Sequence, residues 1–318
     1  MSRLLLAVLV VIAVPAVLVG YILLVEVVVV RLGRKIAARI RPWLWLGPAL
    51  IFLGVFLVYP AIATFQRSFK NRRGDAYNGL ENYKWFFTRD DTLIALRNNV
   101  LWVVFLTAGV VGLGLLVAVL ADRVKYERIV KSIIFLPMAI SFVAAAVIWR
   151  LVYDLNPIVG TLNSFGGNFG TEPVAWLSTE AINNFMLIIV GVWMLTGFAM
   201  VILSAGLKGI PTELIEAARI DGATELQVFR KISLPLLAPT TAVVATTVII
   251  FALKTFDIVY VMTNGNFGTE VMANRMLKEL FTNGQEGRSA AVAVVLLLST
   301  IPVMMYNIRR FRLQEAER

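Results

Sequence analysis

The 318-residue chain contains no cysteine and no histidine. Without cysteine there can be no disulfide, no thiolate nucleophile and no zinc–thiolate centre. Without histidine the usual general base, the commonest metal ligand and the commonest pH switch are missing. Any chemistry would rest on carboxylates, Lys, Tyr, Ser or Thr. The dipeptide Gly-Lys occurs nowhere, so the chain has no phosphate loop ending in Gly-Lys-Ser/Thr. Charge is also scarce, at 16% of residues against about 25% in an average soluble domain. Apolar residues make up 59%, with a mean hydropathy of +0.80. A core of this size in water does not need that much apolar sequence, so the excess faces lipid. A disordered chain, a disulfide-stapled secreted domain and a cytosolic enzyme are thereby excluded.

Seven apolar stretches are long enough to cross a bilayer, which takes about 20 helical residues. They run roughly over 4–30, 43–65, 100–121, 132–151, 185–207, 236–262 and 289–308. In lipid the backbone must satisfy its own hydrogen bonds, so each is expected to be a helix. Continuous apolar sequence, rather than alternation, argues against a β-barrel. The fold class is an all-α integral membrane protein, a polytopic bundle of about seven transmembrane helices. Residues 1–42 hold an N-terminal span and a basic linker, 43–308 the membrane domain, and 309–318 a tail. Arg3 followed by an apolar run raises the alternative of a cleaved signal peptide. The run is longer than a usual signal core and its cleavage pattern is poor, which favours a retained span.

Lys and Arg sort the connecting segments into two sides. Segments 31–42, 122–131, 208–235 and 309–318 carry 17 of them, against 11 on the longer opposite side. The first side is cytoplasmic by the positive-inside rule, with the N-terminus outside and the C-terminus inside. Most of the net charge of +10 is therefore topological, and nucleic acid is not a partner. Glu26 lies near the inner surface and is expected to snorkel. On the outer side, Asn71 to Asp75 reads as a charged turn. Tyr83 to Phe87 could lie in the headgroup zone or meet a partner. Gly166 to Gly170 reads as an exposed loop.

The longest inner loop, 209–235, differs in kind. Pro211 suits a first helical turn, and Thr212 to Ile220 favours helix with acidic residues early, where the helix dipole wants them. Gly222 breaks it, Ala223 to Ile232 can form a second short helix, and Pro235 opens the next span. The result is a helix–glycine–helix elbow, too long for a passive connector.

Glu216-Ala217-Ala218, Gly222 after three residues, and Ile232-x-Leu234-Pro235 after nine more resemble the EAA loop of ABC importer permeases without a mismatch. Leu253 to Gly265 looks like the sixth-span segment of maltose-type carbohydrate permeases, with Asn264-Gly265-Asn266 where many relatives have Gly-Gly-Pro. Asn99-Val100 and the Phe135-Leu136-Pro137 region extend the likeness, which covers about 250 residues. The extra first span resembles alpha-glucoside permeases. The resemblance implies an extra span plus a six-span core in a prokaryotic inner membrane. It implies a second permease subunit, two ATPase subunits that bind ATP and Mg, and an extracytoplasmic sugar-binding protein. It also implies a cytoplasmic coupling helix in which Gly222 keeps the turn, Glu216 and Asp221 offer charge, and Ala217 and Ala218 permit close packing. The chain itself would need no cofactor, metal or catalytic residue.

Ionisable residues inside spans default to functional candidates. Lys254 and Asp257 are three apart, so on one helix they would share a face, either paired or walling a sugar path with Tyr260 and Asn264. Trp149, Tyr153, Trp193 and Phe256 are candidate stacking surfaces for sugar, or else interfacial aromatics. Arg150 lies near Asp154 and suits a local ion pair. Asn183 and Asn184 read as span-boundary residues. A secondary transporter would leave the inner loop unexplained, and a membrane enzyme would lack a nucleophile.

Overall fold

The computed structural model describes residues 3–31, 34–122 and 124–316. Residues 1–2 of the N-terminal segment, 32–33 of the basic linker, 123 of the basic loop and 317–318 of the tail lie outside the described residues. Among the described residues extended pairing amounts to one isolated bridge, Lys70 with Tyr77. Everything else of regular structure is helix. Counting one sharply bent pair as a span, seven stretches are long and apolar enough to cross a membrane.

Two compact units divide the chain, residues 1–64 and 65–318. The first holds α1 (Arg3–Arg31) and most of α2 (Lys35–Arg67). Within it the Tyr21 hydroxyl donates to the Leu44 carbonyl. Arg41 pairs with Glu26 at 3.2 Å, so Glu26 is neutralised by the next helix rather than left to snorkel alone.

In the second unit, α3 (Asp90–Ala121) is followed by α4 (Glu127–Phe135) and α5 (Phe142–Val152). The expected single span over 132–151 is instead this pair, bent by 99°. Pro137, which has no N–H, sits in the 3₁₀ turn Leu136–Ala139, and Ile140 is extended. The Ser141 side chain then accepts the Ala144 N–H and starts a new helix. Next come α6 (Asn183–Lys208), α7 (Thr212–Ile220), α8 (Glu225–Leu253), α9 (Asp257–Met262) and α10 (Glu286–Ala316).

Helix α6 is the axis of this unit. Leu187, Val190, Met194, Met200 and Leu203 along it are fully buried, packed with Trp102 and Val110 of α3 and with Val244 and Val248 of α8. Lipid tails are as apolar as leucine, so burial alone does not drive such packing. Close approach at small residues does. Gly197 marks one such approach: a Cβ there would sit 2.6 Å from the Ile134 carbonyl oxygen and 2.7 Å from the Phe135 Cα. Helices α4 and α6 thus touch backbone to backbone.

The segments 66–100 and 263–288 fold on each other as a polar lobe. Phe86 is fully buried with Ala95, Met272 and Val292. Tyr83 hydrogen-bonds Ser68, and the guanidinium groups of Arg275 and Arg288 lie 5.4 and 4.8 Å from the Trp85 ring centre. Of the stretch expected to face lipid headgroups or a partner, Tyr83, Trp85 and Phe86 make these contacts within the lobe, whereas Phe87 is exposed. In the 153–183 loop, Gly166 and Gly167 close a short helix, Thr161–Gly167, where a plain loop was expected. Buried Asn163 organises the loop by donating to the Asp154 and Val174 carbonyls and accepting from the Val174 N–H and the Trp176 indole.

Asparagines also pin the 263–270 loop. Asn98 donates to the carbonyls of Gly268 (2.7 Å) and Glu270 (2.8 Å). Asn183 donates to Phe267 (2.7 Å) and Asn184 to Gly268 (3.4 Å), a role beyond that of span-boundary residues. Asn98→Ala strips both carbonyls of a buried donor, at a cost of about 1–3 kcal/mol. The melting temperature in detergent should fall clearly, whereas Val100→Ala at an exposed neighbour should leave it nearly unchanged. Equal melting of the two variants would contradict this account of the loop.

Candidate functional site

The elbow is closed by a specific backbone motif. The Gly222 N–H donates to the Arg219 carbonyl (3.1 Å) and the Ala223 N–H to the Ala218 carbonyl (3.0 Å). This is a Schellman cap, in which Gly222 is the left-handed residue at φ +81°. The spacing of Ala218, Gly222 and Ala223 is therefore the spacing the cap requires. Thr224 and Gln227 then form a capping box for the following helix, and Arg219 bridges the corner to Glu225 at 2.8 Å. Hydrogen bonding to Glu225, then its charge, raises the Arg219 pKa.

One expectation needs correction here. The residues after Gly222 do not form a separate short helix. They are the first turns of α8, so Ile232, Leu234 and Pro235 stand inside a continuous helix. A π-turn over Phe229–Ser233 makes this possible. The Leu234 N–H reaches back five residues to the Phe229 carbonyl, which widens the ladder where the Pro235 ring enters.

Glu216, Ala217 and Asp221 are exposed and Ala218 half-buried. Beside them Leu214, Ile220 and Leu226 are exposed, Ile220 at 85%.

The transport-path candidates fall into two groups on different faces of α6. A cavity of about 420 Å³ is lined by Trp102, Phe142, Thr247, Lys254, Phe256 and Asp257, among others. Helix α8 ends at Leu253, Lys254 to Phe256 are unwound, and α9 restarts at Asp257. Lys254 and Asp257 therefore do not share a continuous helix face, and no ion pair joins them among the described residues. The break is held by Asn99, which donates to the Leu253 carbonyl (3.1 Å) and accepts from the Met272 N–H (2.8 Å). The Phe256 ring stacks on Tyr260 with centres 5.1 Å apart.

The second group lies elsewhere. Trp149 and Trp193 meet edge to face at 5.6 Å and line a separate apolar cavity of about 720 Å³. Tyr153 is buried, with its hydroxyl donating to the Met186 carbonyl. Arg150 donates to the Val261 carbonyl at 3.3 Å rather than pairing with Asp154. Asn264 takes a left-handed φ of +51° beside Gly265 at +71°, so a tight turn forms without Gly-Gly-Pro. The Asn264 carbonyl accepts from Lys278.

Sequence reasoning passed over Trp102. It is fully buried, and its indole N–H has no partner although the residue lines the smaller cavity. A tryptophan opening an apolar run carries no signal of this. Among the described residues no group of three acidic side chains could hold a metal ion.

The geometry is a bundle of broken helices around a largely apolar cavity edged by Lys254 and Asp257, with an exposed elbow joining two of the helices. The fold is similar to that of a solved bacterial ABC transporter "involved in the import of the acidic polysaccharide alginate". The TM-score is 0.76 at 22% identity, over 88% of this chain and 99% of that one. The chain is 51% identical over 276 residues to the osmoprotective compounds uptake permease protein GgtC of Synechocystis, covering 86% of this chain and 99% of the relative. It is 46% identical to the alpha-glucoside transport system permease protein AglF of Rhizobium meliloti, covering 86% and 83%. Residues 110–313 match the family model of the binding-protein-dependent transport system inner membrane component. The chain belongs to that family: it is a multi-pass permease of an ABC importer, a transport component rather than an enzyme.

Because Lys254 and Asp257 are not paired, Lys254→Met and Asp257→Asn should each leave assembly with partner subunits intact. The double variant should behave as the sum of the two. Copurification yield from detergent checks this. A double variant that assembles better than either single would mean that the charges neutralise each other.

Proposed function

We propose that this chain is one of two permease subunits of a sugar importer whose transport is driven by two ATPase subunits docked on its elbow. The observation that carries the reading is the Schellman-closed elbow, with Glu216 and Asp221 charged and Ile220 bare in water. In this reading ATP and Mg belong to the ATPases, and an extracytoplasmic binding protein delivers the sugar. ATP binding draws the ATPases together and the elbows move. Helix α6, the buried axis, carries the movement inward, and access to the cavity alternates by rigid-body switching of packed elements. The elbow faces the cytoplasm, with the N-terminus outside and the C-terminus inside. The transport core spans 43–308, and residues 1–42 are an accessory span and linker.

The substrate we propose is a disaccharide or short oligosaccharide such as an alpha-glucoside. The name of the 46%-identical relative supports this class. So does the chemistry of the cavity. Phe256, whose ring stacks on Tyr260, offers an aromatic face for sugar C–H surfaces. Lys254 and Asp257 offer hydrogen bonds to hydroxyls. We assign Trp149 and Trp193 to the flank of the path, and Tyr153 to holding α5 against α6.

Gly222→Asp tests the elbow. An L-residue at this φ is strained, and a charged side chain would obstruct the docking face. Uptake should be abolished while insertion into the membrane is unchanged. Normal uptake in that variant would refute the role of this loop.

A further inference from the structure

Helix α6 ends at Lys208, and only three residues separate it from α7, the elbow helix. A push on the elbow therefore reaches α6 directly. Helix α4 has no such covalent route, because its own loop leads back to α3. Two contacts nevertheless join α4 to α6. One is the backbone approach at Gly197. The other is a charge cluster at the elbow end. The Lys131 ammonium of α4 donates to Asp122, to Glu127 (2.6 Å) and to the Ser204 hydroxyl of α6. Ser204 in turn donates to Asp122 at 2.9 Å, and Lys208, in the last turn of α6, donates to Glu127. The Lys131 side chain is only 17% exposed and Asp122 21%, whereas Lys208 at the rim is 56% exposed. Just beyond α4 lies the Pro137–Ser141 bend, and Phe142, the first residue after it, lines the smaller cavity. Its ring lies 6.2 Å from that of Phe251 on α8.

We infer that Glu127 and Lys131 are positioning residues for coupled transport. They clamp α4 to the elbow end of α6, so that elbow movement swings the bent α4–α5 pair and with it the Phe142 wall of the cavity. This rests on the importer reading above. The cluster touches no substrate; it acts through α4. A merely structural role would change the yield of the complex. A clamp changes how much solute moves per ATP.

The test uses the complete complex in liposomes with its binding protein, with maltose, sucrose and trehalose as probes, and measures uptake per ATP hydrolysed. The combined Glu127→Gln and Lys131→Met variant should keep hydrolysing ATP while uptake per ATP falls about tenfold, within the usual range of coupling between sites. Lys131→Arg should stay near the native ratio. Because the chain has no cysteine, Lys131→Cys with Ser204→Cys places a unique thiol pair across the clamp, once reactive cysteines are removed from the partner subunits. Bridging the pair with a bifunctional thiol reagent as long as the lost lysine side chain should restore the ratio in the same preparation. The inference is overturned if the neutralised variant keeps the native ratio, if uptake and hydrolysis fall together, or if bridging restores nothing. Gly222→Asp in the same assay separates the two claims: if that variant transports normally, the importer reading itself has failed.

Discussion

A backbone amide in hydrocarbon has no water to turn to, and every break in a helix there must be satisfied by protein. The transport unit of this chain is organised around that constraint. Its breaks fall at Pro137–Ser141, at Lys254–Phe256 and over 263–270, and each is met by named side chains. Ser141 caps the helix after the first. Asn99 holds the last carbonyl of α8 at the second. Asn98, Asn183 and Asn184 hold three carbonyls of the third. The second break is also where Lys254, Thr255 and Asp257 reach the cavity, an unwound segment lining a cavity being tolerated within a bilayer.

The elbow answers the same constraint at the membrane surface. Helix α7 ends in water, where a Schellman cap can satisfy its last carbonyls without burying anything. Helix α8 begins there with a capping box and passes through a π-turn before Pro235. The elbow helix is therefore short and sharply closed, and α8 beyond it is one long rod. The nine-residue elbow helix thus connects α6 on one side to α8 on the other, as the proposed coupling role requires.

Much of this was legible in residue order. Apolar run length located the apolar stretches, because lipid exposure needs about 20 such residues, but it did not show that the fourth is a sharply bent pair or that the sixth breaks after Leu253. The elbow was legible because a left-handed glycine at a fixed distance from two alanines is a local requirement. The bend after α4 was not, although Pro137 and Ser141 sit four residues apart: a proline in an apolar run is as often tolerated as obeyed. The break at Lys254 hid for a related reason. The last helical carbonyl before it is satisfied by Asn99, more than 150 positions away, and no periodicity reports so distant a partner. The polar lobe was misjudged because Trp85 and Phe86 looked like headgroup aromatics until Arg275, Arg288 and Met272 were brought to them by the fold. Trp102 was invisible because its unpaired N–H is a property of packing alone.

In the proposed importer the elbow seats in an ATPase subunit and moves with it. The chain's lack of cysteine allows one direct measurement. A single cysteine at Ile220, 85% exposed in the isolated chain, is labelled in native membranes with a short thiol-anchored photo-crosslinker. The account predicts a crosslink to a nucleotide-hydrolysing subunit, formed with a yield that changes when ATP is added. A residue 220 that reacts freely with water-soluble thiol reagents in the intact complex, and crosslinks to no such subunit, would contradict it.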